Sequence, residues 1–181
     1  MPNRILDNGM FHCAHLSVSD EQDIEAFSGR AQEGEGLVNY IQHFAFPDEE
    51  RGGMRTYIIR DNDTLELVGY FSLKAGLVSL NELETEEGSV FDTLPGVELA
   101  NFAVNDRYIQ RHPQRRGAGF VIFSDFVRPI VGEVIERIGV EIIYIFALPE
   151  EKLLRLYQER YGFMRLSRSA EERLQIGRAH V

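Results

Sequence analysis

Gln114-Arg115-Arg116-Gly117-Ala118-Gly119 lies between an apolar, strand-like segment at 97–104 and a long amphipathic pattern at 119–138. Two arginines and two glycines at the mouth of a helix are what an anionic phosphate needs. The first N–H groups of a helix have no internal acceptor, the helix dipole is positive at that end, and glycine lets a ligand approach the main chain. The stretch predicts a site for a phosphorylated cofactor, or else two arginines that only solvate a loop. Other phosphate-binding patterns fit poorly. A dinucleotide fold wants Gly-x-Gly-x-x-Gly directly after its strand and an acidic residue about 20 positions later. This loop has two of the three glycines and starts well beyond Val104, and the Gly-Lys-Ser/Thr of a Walker loop is missing from the chain.

The elements on either side set the frame. Residues 12–18 read as a first strand, and Ser19-Asp20-Glu21 offers an N-cap and acidic first turn for a helix to about Gly29. Leu37, Val38, Ile41 and Phe44 recur at helical spacing, with Pro47 ending that second helix. Good β-formers at 55–61 and 65–75, joined by a turn at Asn62-Asp63, predict a hairpin. A glutamate-rich stretch (Glu82, Glu84, Glu86, Glu87) reads as a solvated loop. In the long helix Pro129 predicts a kink, because it removes a bond to the carbonyl four residues back. Residues 142–148 are apolar throughout, as in a strand covered on both faces. Pro149 suits the first turn of a last helix, and Gly162 its C-cap. The crossover from 97–104 through the long helix to 142–148 makes those two strands parallel neighbours.

Strand, Gln114-x-x-Gly117-x-Gly119, helix, strand, then a helix ending in Tyr161-Gly162-Phe163: this order resembles the GNAT acyl-CoA-dependent N-acetyltransferases, most strongly from Val97 to Phe163. The resemblance implies an α/β (α+β) fold with a mixed, mostly antiparallel sheet flanked by helices, and parallel strands at about 97–104 and 142–148 that splay apart. It implies acetyl-CoA as cofactor. The amides of residues 115 to 119 (Arg115, Arg116, Gly117, Ala118, Gly119), following Gln114 and helped by the two arginine side chains, would hold its pyrophosphate. Phe102, Ala103 and Val104 would pair pantetheine through the backbone, one amide polarising the thioester carbonyl. The expected reaction is direct attack of a primary amine on the thioester in a ternary complex. A base takes the ammonium proton, and an acid protonates the departing thiolate.

Glu98 is the base candidate; alternation places it with Ala100 and Phe102, where it would otherwise be an outward strand residue, and Glu82 and Glu84 are alternatives. Tyr157 is the acid candidate. The family's tyrosine stands four residues before the glycine, a place held here by Gln158, so Tyr157 is rotated by about 100° around the helix and core packing is its other reading. The stretch 105–113 is longer than is usual for the family, and is read as a neutral surface loop in preference to an acceptor contact. His12 and His15 point to opposite faces of a strand, and no metal site is expected. Cys13, in an apolar stretch, reads as a packed residue and not a nucleophile.

Residues 1–175 are expected to form a single N-acetyltransferase domain. Ile176-Gly177-Arg178-Ala179-His180-Val181 is read as a non-native scar, with a terminal strand missing before it. The open edge so left would favour a homodimer. The single cysteine and the lack of a long apolar run or signal pattern point to the cytoplasm, with no membrane partner. A net charge of −10, from 19 Lys and Arg against 29 Asp and Glu, argues against nucleic acid and for a cationic small-molecule or peptide amine as acceptor. Two readings stand beside that one: a toxin-type GNAT acetylating aminoacyl-tRNA, and a catalytically inactive acyl-CoA-binding module.

Overall fold

Asn8-Gly9 turns the chain at its start. Gly9 has φ +85°, where a side chain would be strained, and the Asn8 side chain accepts from the N–H groups of Met10 and Phe11 at 3.0 and 2.8 Å. The computed structural model describes residues 4–29, 34–85, 88–147 and 150–166, the backbone alone at 4 and 80–92. It opens with a hairpin of β1 (Arg4–Asp7) and β2 (Phe11–His15). The first of these was not legible in the sequence, and the second stops short of Val18. Ser17 instead begins a 3-10 turn, its N–H donating to the Asp20 carboxylate at 2.9 Å, and α1 (Glu21–Glu25) follows.

The second expected helix is two. A break at Phe44 separates α2 (Glu35–His43) from α3 (Ala45–Glu50). Pro47 falls in the first turn of α3, where its missing N–H costs nothing, so it does not end a helix. β3 (Arg55–Asp61) and β4 (Leu67–Thr85) form the expected hairpin, and β5 (Gly88–Val104) returns beside β4. The glutamate-rich stretch is therefore strand up to Thr85, not loop; its last two residues, the expected scar and the missing terminal strand lie outside the described residues.

Among the described residues the sheet has six strands in the order β1-β2-β3-β4-β5-β6, β6 being Ile142–Tyr144. The described pairings are antiparallel from β1 to β4, and β5 with β6 is parallel, in the register Gly96–Ile142, Val97–Ile143 and Glu98–Tyr144. The residues divide into two compact units, Met1–Lys74 with Leu99–Gly132, and Ala75–Glu98 with Glu133–Val181.

In the first unit Ile24 of α1, Phe27 just after it and Ile41 of α2 pack against Ile58, Tyr70 and Ala103 of the sheet. Such side chains contribute about 1.5–3 kcal/mol each on burial. Arg60 bonds Asp20 at 2.7 Å and Asp23 at 2.6 Å, tying α1 to β3. On this unit β5 leads into α4 (Asp106–Arg111), the loop at 113–117 and α5 (Ala118–Ile122). A π-helical turn at Phe123–Val127 then runs into α6 (Arg128–Arg137). The π turn stands just before Pro129. There the N–H of Arg128 reaches back five residues to the Phe123 carbonyl, so the ladder widens where proline would crowd the carbonyl four residues earlier. The expected irregularity is present, as a widened turn.

In the second unit α7 (Glu151–Tyr161) ends at Gly162, φ +76°, whose N–H and that of Phe163 both return to the Tyr157 carbonyl. This is the glycine C-cap read from the sequence. Among the described residues no helix is long and apolar enough to cross a membrane.

Candidate functional site

The loop is built from a 3-10 turn, Pro113–Arg115, that hands over to α5 through Gly117. The amides of Arg115 and Arg116 serve that turn, donating to the carbonyls of His112 at 2.8 Å and Pro113 at 3.4 Å. The amides of Phe120 and Val121 both turn back to the Gly117 carbonyl. Among the described residues no backbone acceptor faces the amides of Gly117, Ala118 and Gly119, which carry the positive end of the continuous helical run from α5 to α6. The expected cradle of five amides thus narrows to three. Gly117 has φ −87°, a conformation any residue adopts, and a Cβ there would meet nothing within 4 Å. Neither strain nor crowding inside the chain requires glycine at 117; close approach of something from outside would.

The side chains of the loop divide. Gln114 and Arg116 are exposed. Arg115 turns inward, its guanidinium carbon 5.7 Å from the centre of the Phe11 ring, within cation–π range.

β5 supplies the second part. Its ladder with β6 stops at Glu98 and Tyr144, so among the described residues the edge from Leu99 to Val104 has no β6 partner. Phe102 meets Phe123 edge-on at 6.5 Å, and Ala103 is buried. Expected as seven residues, β6 has three; Leu148 lies outside the described residues. The described ladder ends at Glu98, four residues before the expected pantetheine segment, Phe102, Ala103 and Val104.

The expected surface loop at 105–113 is a helix with a buried side. Tyr108 is fully buried and Asn105 is 5% exposed. The Asn105 side chain donates to the Leu67 carbonyl at 2.9 Å, Asp106 and Arg107 donate through their N–H groups to Ser28, Arg111 pairs with Glu66 at 2.7 Å, and His112 bonds the other oxygen of the same carboxylate. The correction has a plain cause: a five-residue excess in length does not reveal that its tyrosine packs inward. Tyr108, which donates to buried Asp61, was not singled out in the sequence, where the length of the stretch was its signal.

The catalytic candidates belong to the second unit. Glu98 is half-buried, and the Tyr144 hydroxyl points to its carboxylate at 3.5 Å. Tyr144 needs two glycines: a methyl group at Gly76 would collide with its hydroxyl, and one at Gly96 would come within 3.0 Å of its ring. Tyr157 is half-buried, its ring 5.5 Å from Tyr161 and 5.8 Å from Phe163. Burial first, then the neighbouring phenol of Tyr161, push the Tyr157 hydroxyl up to about 12. It stays protonated at working pH, as an acid must. Its preference for the neutral form stabilises the fold below the ordinary phenol value of 10, and is lost as pH rises from there through about 12. The alternative bases Glu82 and Glu84 lie where only the backbone is described.

No family model matches the chain. Solved structures do. A tyrosine-to-phenylalanine variant of KacT superposes with a TM-score of 0.68 at 20% identity, covering 87% of this chain and 88% of that one. AtaT complexed with acetyl-methionyl-tRNAfMet gives 0.65 at 18%, covering 85% and 86%. A tyrosine-to-phenylalanine variant of the AtaT toxin, bound to acetyl-CoA and the C-terminus of the antitoxin AtaR, gives 0.63 at 19%, covering 86% of each. The chain has the GNAT fold.

The GNAT fold brings one correction. A small-molecule or peptide amine was the expected partner, with nucleic acid argued against, but AtaT, of this fold, is seen with a tRNA and with an antitoxin segment. Net charge is a poor guide to such partners because an exposed charge acts within a Debye length of about 8–10 Å, so a local patch decides what a surface accepts. Arg107, Arg111 and Arg116 stand exposed around the loop of this acidic protein. Cys13 is fully buried and burial pushes its thiol up to about 12, so it packs and does not attack.

Proposed function

We propose that the chain is an N-acetyltransferase that takes its acetyl group from acetyl-CoA and places it on the α-amino group of an aminoacyl-tRNA. One juxtaposition within the first unit carries the reading: a stretch of β5, 99–104, that lies beyond the last β6 pairing at Glu98, and three amides without backbone acceptors at the head of the helix that follows. The two together suit a ligand with an amide-rich arm and a pyrophosphate. The β5 edge would pair the pantetheine arm at Phe102, Ala103 and Val104. Gly117, Ala118 and Gly119 would hold the pyrophosphate, with Arg116 beside them. Structures of the same fold that hold acetyl-CoA and acetyl-methionyl-tRNA support the donor and the class of acceptor.

In this scheme the amine nitrogen attacks the thioester carbonyl, the C–S bond breaks, and coenzyme A leaves as its thiol. Glu98 takes the ammonium proton, directly or through water, and Tyr157 gives its phenolic proton to the sulfur. Mixing the protein with acetyl-CoA and a charged methionyl-tRNA should yield acetyl-methionyl-tRNA. Tyr157→Phe and Glu98→Gln should each slow the chemical step by about 10²–10⁴-fold with little change in acetyl-CoA affinity. Thiol release only with polyamines, aminoglycosides or peptides would overturn the acceptor. Acetyl-CoA binding without turnover on any amine would leave the chain a binding module, and unchanged rates in both variants would remove these two residues from the chemistry.

A further inference from the structure

Asp61 closes β3 and is 2% exposed. One of its oxygens accepts from the Tyr108 hydroxyl at 2.5 Å, the other from the amides of Asp63 and Thr64 at 2.8 and 3.2 Å. A carboxylate so far from water needs its charge answered as well as its lone pairs filled. Burial disfavours the charged form, but the bonds from Tyr108, Asp63 and Thr64 and the charge of Arg115 outweigh it and hold Asp61 below the usual carboxylate range. For Tyr108, burial and the bond to Asp61 push the phenol up, with Arg115 pulling the other way. Arg115 thus acts on both members of the pair. Its guanidinium also stacks on Phe11, which meets the Tyr108 ring edge-on at 6.3 Å. Phe11 on β2 thus joins the loop's arginine to Tyr108 of α4, which in turn bonds Asp61 of β3.

An arginine committed in this way is poorly placed to follow a phosphate. It is well placed to hold the chain on either side of it. The 3-10 turn that ends at Arg115 is stiffened by its own N–H bond to His112, and Gly117 is two residues on. We infer that Arg115 anchors the loop instead of binding the cofactor, and that Asp61 and Tyr108 are positioning residues acting through it to hold the amides of Gly117, Ala118 and Gly119 in place for a pyrophosphate. The inference rests on the coenzyme A reading above. It gives the longer stretch before the loop a purpose: α4 carries the tyrosine that completes the anchor.

The test compares two ligands that differ only at the loop's end of the cofactor, acetyl-CoA and S-acetyl-pantetheine, which keeps the thioester and the amide arm and lacks the pyrophosphate. Calorimetric affinities are measured for both on the wild type, on Tyr108→Phe, which removes one oxygen and keeps the ring against Phe11, and on Arg115→Met, which keeps the stem and removes the charge. Acetyl-CoA should bind about 10-fold more weakly to Tyr108→Phe and up to about 100-fold more weakly to Arg115→Met, as expected when a binding group is misplaced by about 1 Å. S-Acetyl-pantetheine should bind all three alike. Equal weakening of both ligands would mean a damaged fold, and would overturn the positioning role, as would unchanged acetyl-CoA affinity in either variant. A wild type that binds S-acetyl-pantetheine and acetyl-CoA equally would overturn it as well. A wild type that binds neither would sink the coenzyme A reading itself, and the anchor with it.

Discussion

Gly117→Glu is expected to abolish acetyl-CoA binding and leave the free protein as stable as before. The two halves of that result come from different observations. A side chain at 117 meets nothing within 4 Å, and the φ of −87° suits any residue, so the fold has no reason to object. A carboxylate at the head of a helix is mildly favourable, by about 0.3–1 kcal/mol. The same carboxylate would occupy the space in front of the amides of Gly117, Ala118 and Gly119 and repel a pyrophosphate. In thermal melts with ligand at 100 times its dissociation constant, the wild type gains about 2.7 kcal/mol, a rise of roughly 5–10 °C for a chain of this size. The variant should show no rise, and its melting point without ligand should lie within about 2 °C of wild type. A variant that still responds to acetyl-CoA would move the cofactor away from this loop. A variant that unfolds would show that Gly117 serves the fold.

Gly69→Ala is expected to damage stability and cofactor binding together. Gly69 lies on β4 opposite Ile59, and β5 crosses it closely. A Cβ there would stand 2.5 Å from the Ala103 carbonyl oxygen, 3.3 Å from Val104 Cα and 3.2 Å from Ile122 Cδ1. Two of these three atoms are backbone and cannot swing aside. Either β5 moves out or the β4–β5 ladder opens, at a cost of about 3 kcal/mol, and the melting point should fall by roughly 6–12 °C. The backbone that must move is the proposed pantetheine segment, so acetyl-CoA affinity should fall in the same variant, even well below its melting point. Gly36→Ala is the control. Its Cβ would meet nothing within 4 Å, it lies in α2, and alanine there should stabilise by about 0.5–1 kcal/mol. Wild-type melting of Gly69→Ala would mean that β5 yields without strain.

The loop proposed to hold the cofactor stands out in the sequence because its signal is local. Backbone donors at a helix N-terminus and glycines that let a ligand approach are properties of six consecutive residues, and Gly117 and Gly119 announce them. The C-cap at Gly162 was legible for the same reason. Strand content in the hairpin 55–75 followed from β-branched and aromatic alternation. Less was visible where a polar surface hides the period: Arg4–Asp7 and the glutamate-rich end of β4 carry few apolar residues to mark a strand, and their backbone is fixed by neighbouring strands.

By itself the sequence determined that a glycine- and arginine-rich helix head follows a strand, that a second, parallel strand comes after it, and that a tyrosine stands near the end of a glycine-capped helix. Tertiary structure alone decided which of the loop's groups are open to a ligand. Arg115 and Arg116 look alike in the chain, yet one lies over Phe11, whose ring meets the Tyr108 that bonds buried Asp61, and the other stays in solvent. The reason is physical: a guanidinium over an aromatic face is held by where β2 and the loop meet in space, which no spacing along the chain records.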